Sequence, residues 1–242
     1  MFLISLLLFV DSQPWLRYAV TSAMLGLLGW MALCPGNDRS RKKRNWIFIA
    51  LLALSLFWLR YPILFYPRYL EIDEAQMLSQ AITFQSHPIP WVDVDGTTSG
   101  PLNSYVLLWC VPLGLHPTYF TTRLFGLFCL AGMLGLLYLA CQSVAGTRLA
   151  RLCVLPTFLF FGFVTFYDWV HYTSEHLSLF LLAWVIYLLT RLRRSSDSLY
   201  CISLLGLLLG ITPFAKLQST LPAGFLGLLG IVLLLKQGRR KK

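Results

Sequence analysis

Trp46–Phe65 reads WIFIALLALSLFWLRYPILF, and this stretch decides the fold. A run of about twenty apolar residues is what a helix needs to cross a hydrocarbon core of about 30 Å. The same kind of run recurs on both sides: Leu16–Cys34 precedes it, and Phe120–Cys141, Leu152–Phe166, Leu177–Thr190, Leu199–Ala215 and Leu221–Leu235 follow. The expected architecture is an all-α, polytopic membrane bundle of about seven transmembrane helices, with juxtamembrane helices on its outer side. Composition agrees, because 57% hydrophobic and 12% charged residues lie far from the roughly 25% charged residues of soluble domains. A soluble globule is excluded. A net charge of +10 would fit nucleic acid only if the bases shared one soluble face, and here they sit in short clusters between apolar runs. No nucleic-acid partner is expected; the lipid bilayer is.

Those clusters set the expected orientation. Arg39 with Arg41, Lys42, Lys43 and Arg44, then Arg148 and Arg151, then Arg191, Arg193 and Arg194, and finally Lys236, Arg239, Arg240, Lys241 and Lys242 hold fifteen of the twenty Lys and Arg. Placing all four on the cytoplasmic side follows the positive-inside rule without conflict, provided Leu102–Leu115 does not cross. That segment is short and carries Pro112, so it is expected to lie on the outer surface as a juxtamembrane helix. The apolar start, Phe2–Val10, lacks the basic flank of a cleavable signal peptide. Cys34, Cys110, Cys129, Cys141, Cys153 and Cys201 show no paired spacing and read as small apolar fillers.

This orientation puts Glu71, Asp73, Glu74, Asp93, Asp95, Asp168 and Glu175 on the outer side, together with Arg68, Arg123 and Lys216. Carboxylates at a membrane boundary are costly unless solvated or paired, so their gathering at one face points to a polar cavity. Three segments carry the chemistry. In the first, Glu71–Ile82, the residues Ile72, Ala75, Leu78 and Ile82 recur at helical spacing, predicting a short helix on the membrane surface with Asp73 and Glu74 in its first turn. Acids there also simply complement the helix dipole. In the second, a helix through Asp168, His171 and Glu175 would place all three on one face, as a functional cluster or as a solvated helix end. His171 and His176, five apart, do not make a helical two-histidine metal site, and His87 and His116 read as loop residues. In the third, Lys216 follows an apolar helix in ITPFAKLQS; it either snorkels or faces an acidic cavity, where it could hold a phosphate. No cofactor is required. A divalent metal has only Asp73 with Glu74, or Asp93 with Asp95, to hold it.

The order of the segments carries more than any one of them. IDEAQMLSQ at 72–80, SGPLNSYVLLWCVPLGLHPTYFTTRLFGLF at 99–128, AGTRLARL at 145–152, YDWVHYTSEHLSLFLL at 167–182 and GITPFAKLQS at 210–219 resemble, in that order, the N-terminal half of a GT-C membrane glycosyltransferase. The likeness is to the glycosyltransferase family 39 group, which includes protein O-mannosyltransferases and aminoarabinose transferases. It runs from about Trp46 to Leu235. It implies a GT-C-like catalytic module over 46–242 with an outer loop at 66–118, preceded at 1–45 by an extra transmembrane helix and a basic cytoplasmic loop, and further helices beyond the matching region.

The resemblance also implies an activity. A sugar would pass from a polyprenyl-phosphate donor to a hydroxyl of a protein, lipid or glycan, with inversion, on the extracytoplasmic side of a plasma or inner membrane. Asp73 takes the place of the general base, and Glu74 beside it completes the family's acidic catalytic pair. Arg123, Glu175 and Lys216 fall on substrate-binding positions, and Asp168 and His171 stand near them. Gly100 stands where the family often carries a base, and Ala215 and Leu217 flank the lysine in place of Thr and Gly. Two other readings fit the hydropathy: a transporter or lipid-binding scaffold, and an inactive glycosyltransferase-like subunit.

Overall fold

The computed structural model describes residues 7, 9–34, 41–65, 70–94, 99–109, 111–194 and 199–240. Arg39, Arg68, Asp95, Cys110, Lys241 and Lys242 lie outside the described residues. The α-helices from Pro14 onward are α1 (Pro14–Leu33), α2 (Arg41–Phe65), α3 (Ile72–Thr83), α4 (Leu102–Leu108), α5 (Tyr119–Phe163), α6 (Tyr167–Val170), α7 (Ser174–Arg194), α8 (Leu199–Ile211) and α9 (Thr220–Arg240), with 3₁₀ turns at Val111–Leu113, Thr212–Phe214 and Leu217–Ser219. Five helical stretches are long and apolar enough to cross a membrane: Pro14–Leu33, Lys42–Phe65, Tyr119–Phe163, Ser174–Arg194 and Leu217–Lys236. The chain thus has the make-up of a helical integral membrane protein.

The core is built around α5, which packs against α2 on one side and α7 on the other. Leu52 and Leu56 of α2 meet Met133, Leu134 and Tyr138 of α5, while Leu181, Val185 and Leu188 of α7 meet Leu205 and Leu208 of α8. At the start of α5 the Thr118 hydroxyl accepts from the Thr121 amide at 3.2 Å and Thr121 Oγ1 accepts from the Thr118 amide at 2.8 Å. Such a reciprocal cap fixes where a helix begins. The two apolar runs expected at 120–141 and 152–166 belong to this one 45-residue stretch. Gly146 interrupts it with φ 82° and ψ 173°, a backbone conformation that needs a residue without Cβ.

The bundle has two chemically different ends. At one, Arg44 donates to the Cys34 carbonyl at 2.7 Å, Arg151 to the Met31 carbonyl at 2.6 Å, and Arg194 to the Ser143 carbonyl, so three of the four basic clusters gather there. The acids collect at the other end, separated from the first by the 25 residues of α2. At about 1.5 Å of rise per residue that helix spans roughly 37 Å.

The helix α3 forms where the spacing predicts it, with Ile72 and Ile82 82% and 52% exposed and Glu74, Met77, Leu78 and Ala81 buried. The ion pair of Glu74, described below, turns the 74/77/78/81 face inward. Two other expectations need correction. The segment 102–115 is not one helix; α4 is followed by a 3₁₀ turn that contains Pro112, as expected of a residue with no amide hydrogen to donate. Finally, Asp168, His171 and Glu175 do not share a helix. The chain leaves helical geometry at His171, with φ −89° and ψ 166°, and α7 starts at Ser174.

Candidate functional site

The first fixed point is an ion pair. Glu71 caps α3 by accepting the Glu74 amide at 2.7 Å, which sets the helix start and aims the Glu74 side chain at α5. There Arg123 meets it side-on, with Nε to Oε1 at 2.9 Å and Nη2 to Oε2 at 2.7 Å, and both side chains are almost wholly buried. Arg123 Nη1 donates to the Ile63 carbonyl at 2.9 Å, and the Tyr172 amide points to Glu74 Oε1 at 3.5 Å. Two-point Arg–carboxylate pairing fixes orientation as well as charge, so one pair ties α3 to α5, to the end of α2 and to the segment before α7.

That segment explains the lost helix. Tyr172 is fully buried, its hydroxyl donating to the Asn103 carbonyl at 3.2 Å and its ring lying over Gly126, where an added Cβ would come within 3.2 Å of it. Thr173 donates its hydroxyl to the Asp168 carbonyl at 3.0 Å and its amide to His176 Nδ1 at 3.2 Å. Seating Tyr172 in the core breaks the helical register, and Asp168 and Glu175 converge through tertiary structure instead. His171, 6% exposed, is left with Nδ1 unpartnered among the described residues. Burial lowers its pKa, opposed by Glu74 and aided by Arg123, so the ring is favoured neutral.

Lys216 forms an ion pair with Glu175, both partly exposed. Its backbone is held by an antiparallel bridge to Ser99, and the Gly100 amide donates to the Ala215 carbonyl at 3.1 Å. The glycine at position 100 is explained by proximity. A Cβ there would stand 1.9 Å from the Phe214 carbonyl oxygen, and backbone cannot swing aside as a side chain can. Gly100→Ala is expected to cost about 1–3 kcal/mol, the usual range for overpacking, and to loosen the Lys216 segment. Thermal unfolding together with protease sensitivity near Lys216 checks this, and an unchanged profile would mean that the contact is not maintained.

Asp73 stays exposed, and its carboxylate has no hydrogen-bond or ion-pair partner among the described residues. Its pKa is raised by partial desolvation and by the charges of Glu71, Glu175 and Asp168, against a lowering by Lys216. That of Asp168 is raised by desolvation, Glu71 and Glu175, since each of these influences penalises a further negative charge. Five of the expected site residues, Asp73, Glu74, Asp168, His171 and Glu175, therefore gather at one end with Arg123 and Lys216. Asp93 does not join them through hydrogen bonds: it accepts from the Ile89 amide at 3.1 Å within its own turn.

A cavity of about 990 Å³ opens beside this cluster, lined by Glu71, Arg123, His171 and Tyr167 together with Pro62, Ile63, Leu70, Ile72, Thr165 and Val170. Asp11 and Arg17, from the N-terminal part of the chain, complete its wall; they are 3.6 Å apart, and Asp11 also accepts from the Tyr61 hydroxyl. Sequence reasoning gave Asp11 and Arg17 no role. Nor did it single out Arg60, buried in α2 and donating to the carbonyls of Phe161 at 2.7 Å and Trp169 at 3.3 Å. The available signal was a lone base inside an apolar run, which in a membrane helix is expensive and must find partners. Among the described residues no three of His, Cys, Asp and Glu come together as a set able to hold a metal ion. Comparison with family models, curated proteins and solved structures finds no match.

Proposed function

We propose that the chain is a GT-C-type, inverting glycosyltransferase that moves a sugar from a polyprenyl-phosphate donor to an acceptor hydroxyl on the extracytoplasmic side. The observation that carries this reading is an unpaired carboxylate, Asp73, next in sequence to Ile72, which lines a cavity walled by both apolar and charged residues. An acceptor hydroxyl has a high pKa, so a carboxylate within hydrogen-bond reach must take its proton as the bond to the anomeric carbon forms. Asp73 has the free lone pairs and the raised pKa for that work. Glu74, engaged by Arg123, holds the frame and keeps Arg123 at the cavity wall, where the departing lipid phosphate would gain charge. Lys216, paired with Glu175, is the second cation, and Asp168 and His171 are assigned to binding the sugar.

In this reading the helices cross seven times, with the chain reversing at Gly146 and the shorter apolar stretch Leu199–Phe214 crossing as well. The basic end is cytoplasmic by the positive-inside rule. The test is transfer of labelled sugar from a polyprenyl-phosphate donor in proteoliposomes. Chain-dependent formation of a product of inverted configuration is the expected result. A donor that is bound but never consumed would support the scaffold or inactive-subunit alternative instead.

A further inference from the structure

The loop that carries Asp93 closes on itself in a small, pinned turn. The Trp91 amide donates to the Val94 carbonyl at 2.9 Å, the Asp93 amide to the Ile89 carbonyl at 3.0 Å, and the Asp93 carboxylate accepts from the Ile89 amide. The Tyr105 hydroxyl of α4 donates to the Pro88 carbonyl, and the Tyr105 ring stacks on Phe84, the residue that ends α3, with centroids 4.6 Å apart. The turn is therefore a fixed extension of the layer made by α3 and α4. Its tip is apolar: Ile89, Trp91 and Val92 are each more than half exposed.

Trp91 holds a backbone φ of 61° and is the only non-glycine residue among those described with a positive φ. For a bulky side chain that conformation is a genuine outlier, and a glycine would make the same turn without strain. Such outliers persist where the surroundings hold them, and they collect at sites that bind something.

A second observation sets the level at which the turn sits. Arg123 joins Glu74 in the first turn of α3 to the Ile63 carbonyl in the last turn of α2, so α3 starts level with the end of an apolar stretch long enough to cross a membrane. The helix α4 packs on α3 and ends at Trp109, also more than half exposed and one turn beyond Tyr105 on the same face. Tryptophan collects at the boundary between headgroups and hydrocarbon, where one part of its ring is apolar and the other wet. Two exposed tryptophans at this level, one of them flanked by two exposed aliphatic side chains, fit a bilayer surface. Asp93 sits within the tip, so the attraction is apolar burial and not the pull of anionic lipid.

We propose that the turn at 88–94 is a membrane anchor: the Trp91 ring, with Ile89 and Val92, enters the headgroup boundary of the bilayer at the acidic end of the bundle, and Trp109 makes a second contact with the same leaflet. The anchor ties the α3–α4 layer to the membrane surface. It goes beyond the sugar-transfer reading and does not rest on it.

The test uses the full chain in phosphatidylcholine nanodiscs, one copy per disc, with the emission of Trp91 taken as the difference between the native chain and Trp91→Phe, which keeps the tip apolar. The expected signal is blue-shifted, quenched by phosphatidylcholine that bears a nitroxide near the top of its acyl chain, and out of reach of aqueous iodide. Added salt should leave the nitroxide quenching unchanged. Val92→Asp puts a charge into the tip and should abolish that quenching at an unchanged melting temperature, because a carboxylate resists leaving water. Trp91→Gly relieves the backbone and should not lower the melting temperature in detergent. A native Trp91 signal open to iodide and untouched by the nitroxide lipid would overturn the proposal. So would protection from iodide without nitroxide quenching, which would mean that protein covers the ring, and so would a melting temperature that falls with Trp91→Gly, which would assign the ring to the fold.

Discussion

Arg123→Met is expected to lower the stability of the protein by about 3–5 kcal/mol, the cost of leaving a buried carboxylate uncompensated. Glu74 is 0% exposed and takes three contacts from the Arg123 guanidinium. Without the arginine the buried carboxylate keeps only the long contact from the Tyr172 amide at 3.5 Å, the Ile63 carbonyl loses its donor, and the loss spreads to α2 and to the segment before α7. The double variant Arg123→Met with Glu74→Leu should recover much of that loss, because two apolar groups of similar shape remove both desolvation costs at once. Thermal unfolding in detergent of the two single variants and the double variant checks the coupling. Single variants that each cost less than about 1 kcal/mol would show that water reaches the pair and that it does not hold the frame.

Asp73→Asn carries the second large effect, and on activity instead of stability. The side chain is exposed and makes no contact that the fold depends on, so the melting temperature should stay where it is. Sugar transfer should fall by at least about 100-fold, the lower range for loss of a general base. Asp73→Glu keeps the base and displaces it by one methylene, so it should fall less. Glu74→Gln is the contrasting variant: it should act through lost stability, because Glu74 binds Arg123 and has no lone pairs to spare for a substrate proton. A melting temperature that drops with Asp73→Asn would assign that residue to the frame as well.

What the sequence revealed, and what it hid, divides by range. Trp46–Phe65 and α7 are legible because a long unbroken apolar run has one stable solution in a bilayer, a helix that satisfies its own backbone. The start of α3 is legible because Asp73 and Glu74 sit in its first turn after a capping acid. Which face of α3 turns inward is not legible from Ile72, Ala75, Leu78 and Ile82, because that choice is made by Arg123, 49 residues beyond Glu74. The same holds for His171 and Glu175. As a local pattern they suit one helix, yet burying Tyr172 against Gly126 and Phe125 outweighs helix continuity there. The cavity wall built from Asp11 and Arg17 was hidden for a different reason: Asp11 precedes α1 and Arg17 lies in the first turn of that helix, which hydropathy describes only as apolar, and the Asp11 partner Tyr61 lies 50 residues on. The break at Gly146 was legible, because AGTRLARL at 145–152 reads as a basic turn between two apolar runs, and Gly146 takes the φ of 82° there that only a glycine adopts without strain.

The pH profile of single-turnover sugar transfer tests most directly whether Asp73 is the group that accepts the proton. A base works only when deprotonated, so wild-type transfer should be slow at low pH and rise as pH passes a midpoint above the ordinary carboxylate value. The midpoint lies high because desolvation and the charges of Glu71, Glu175 and Asp168 raise the Asp73 pKa. In Asp73→Asn the predicted result is a small residual rate with that rise gone. A variant that keeps both the rate and the midpoint of the wild type would contradict the assignment of Asp73 as the base.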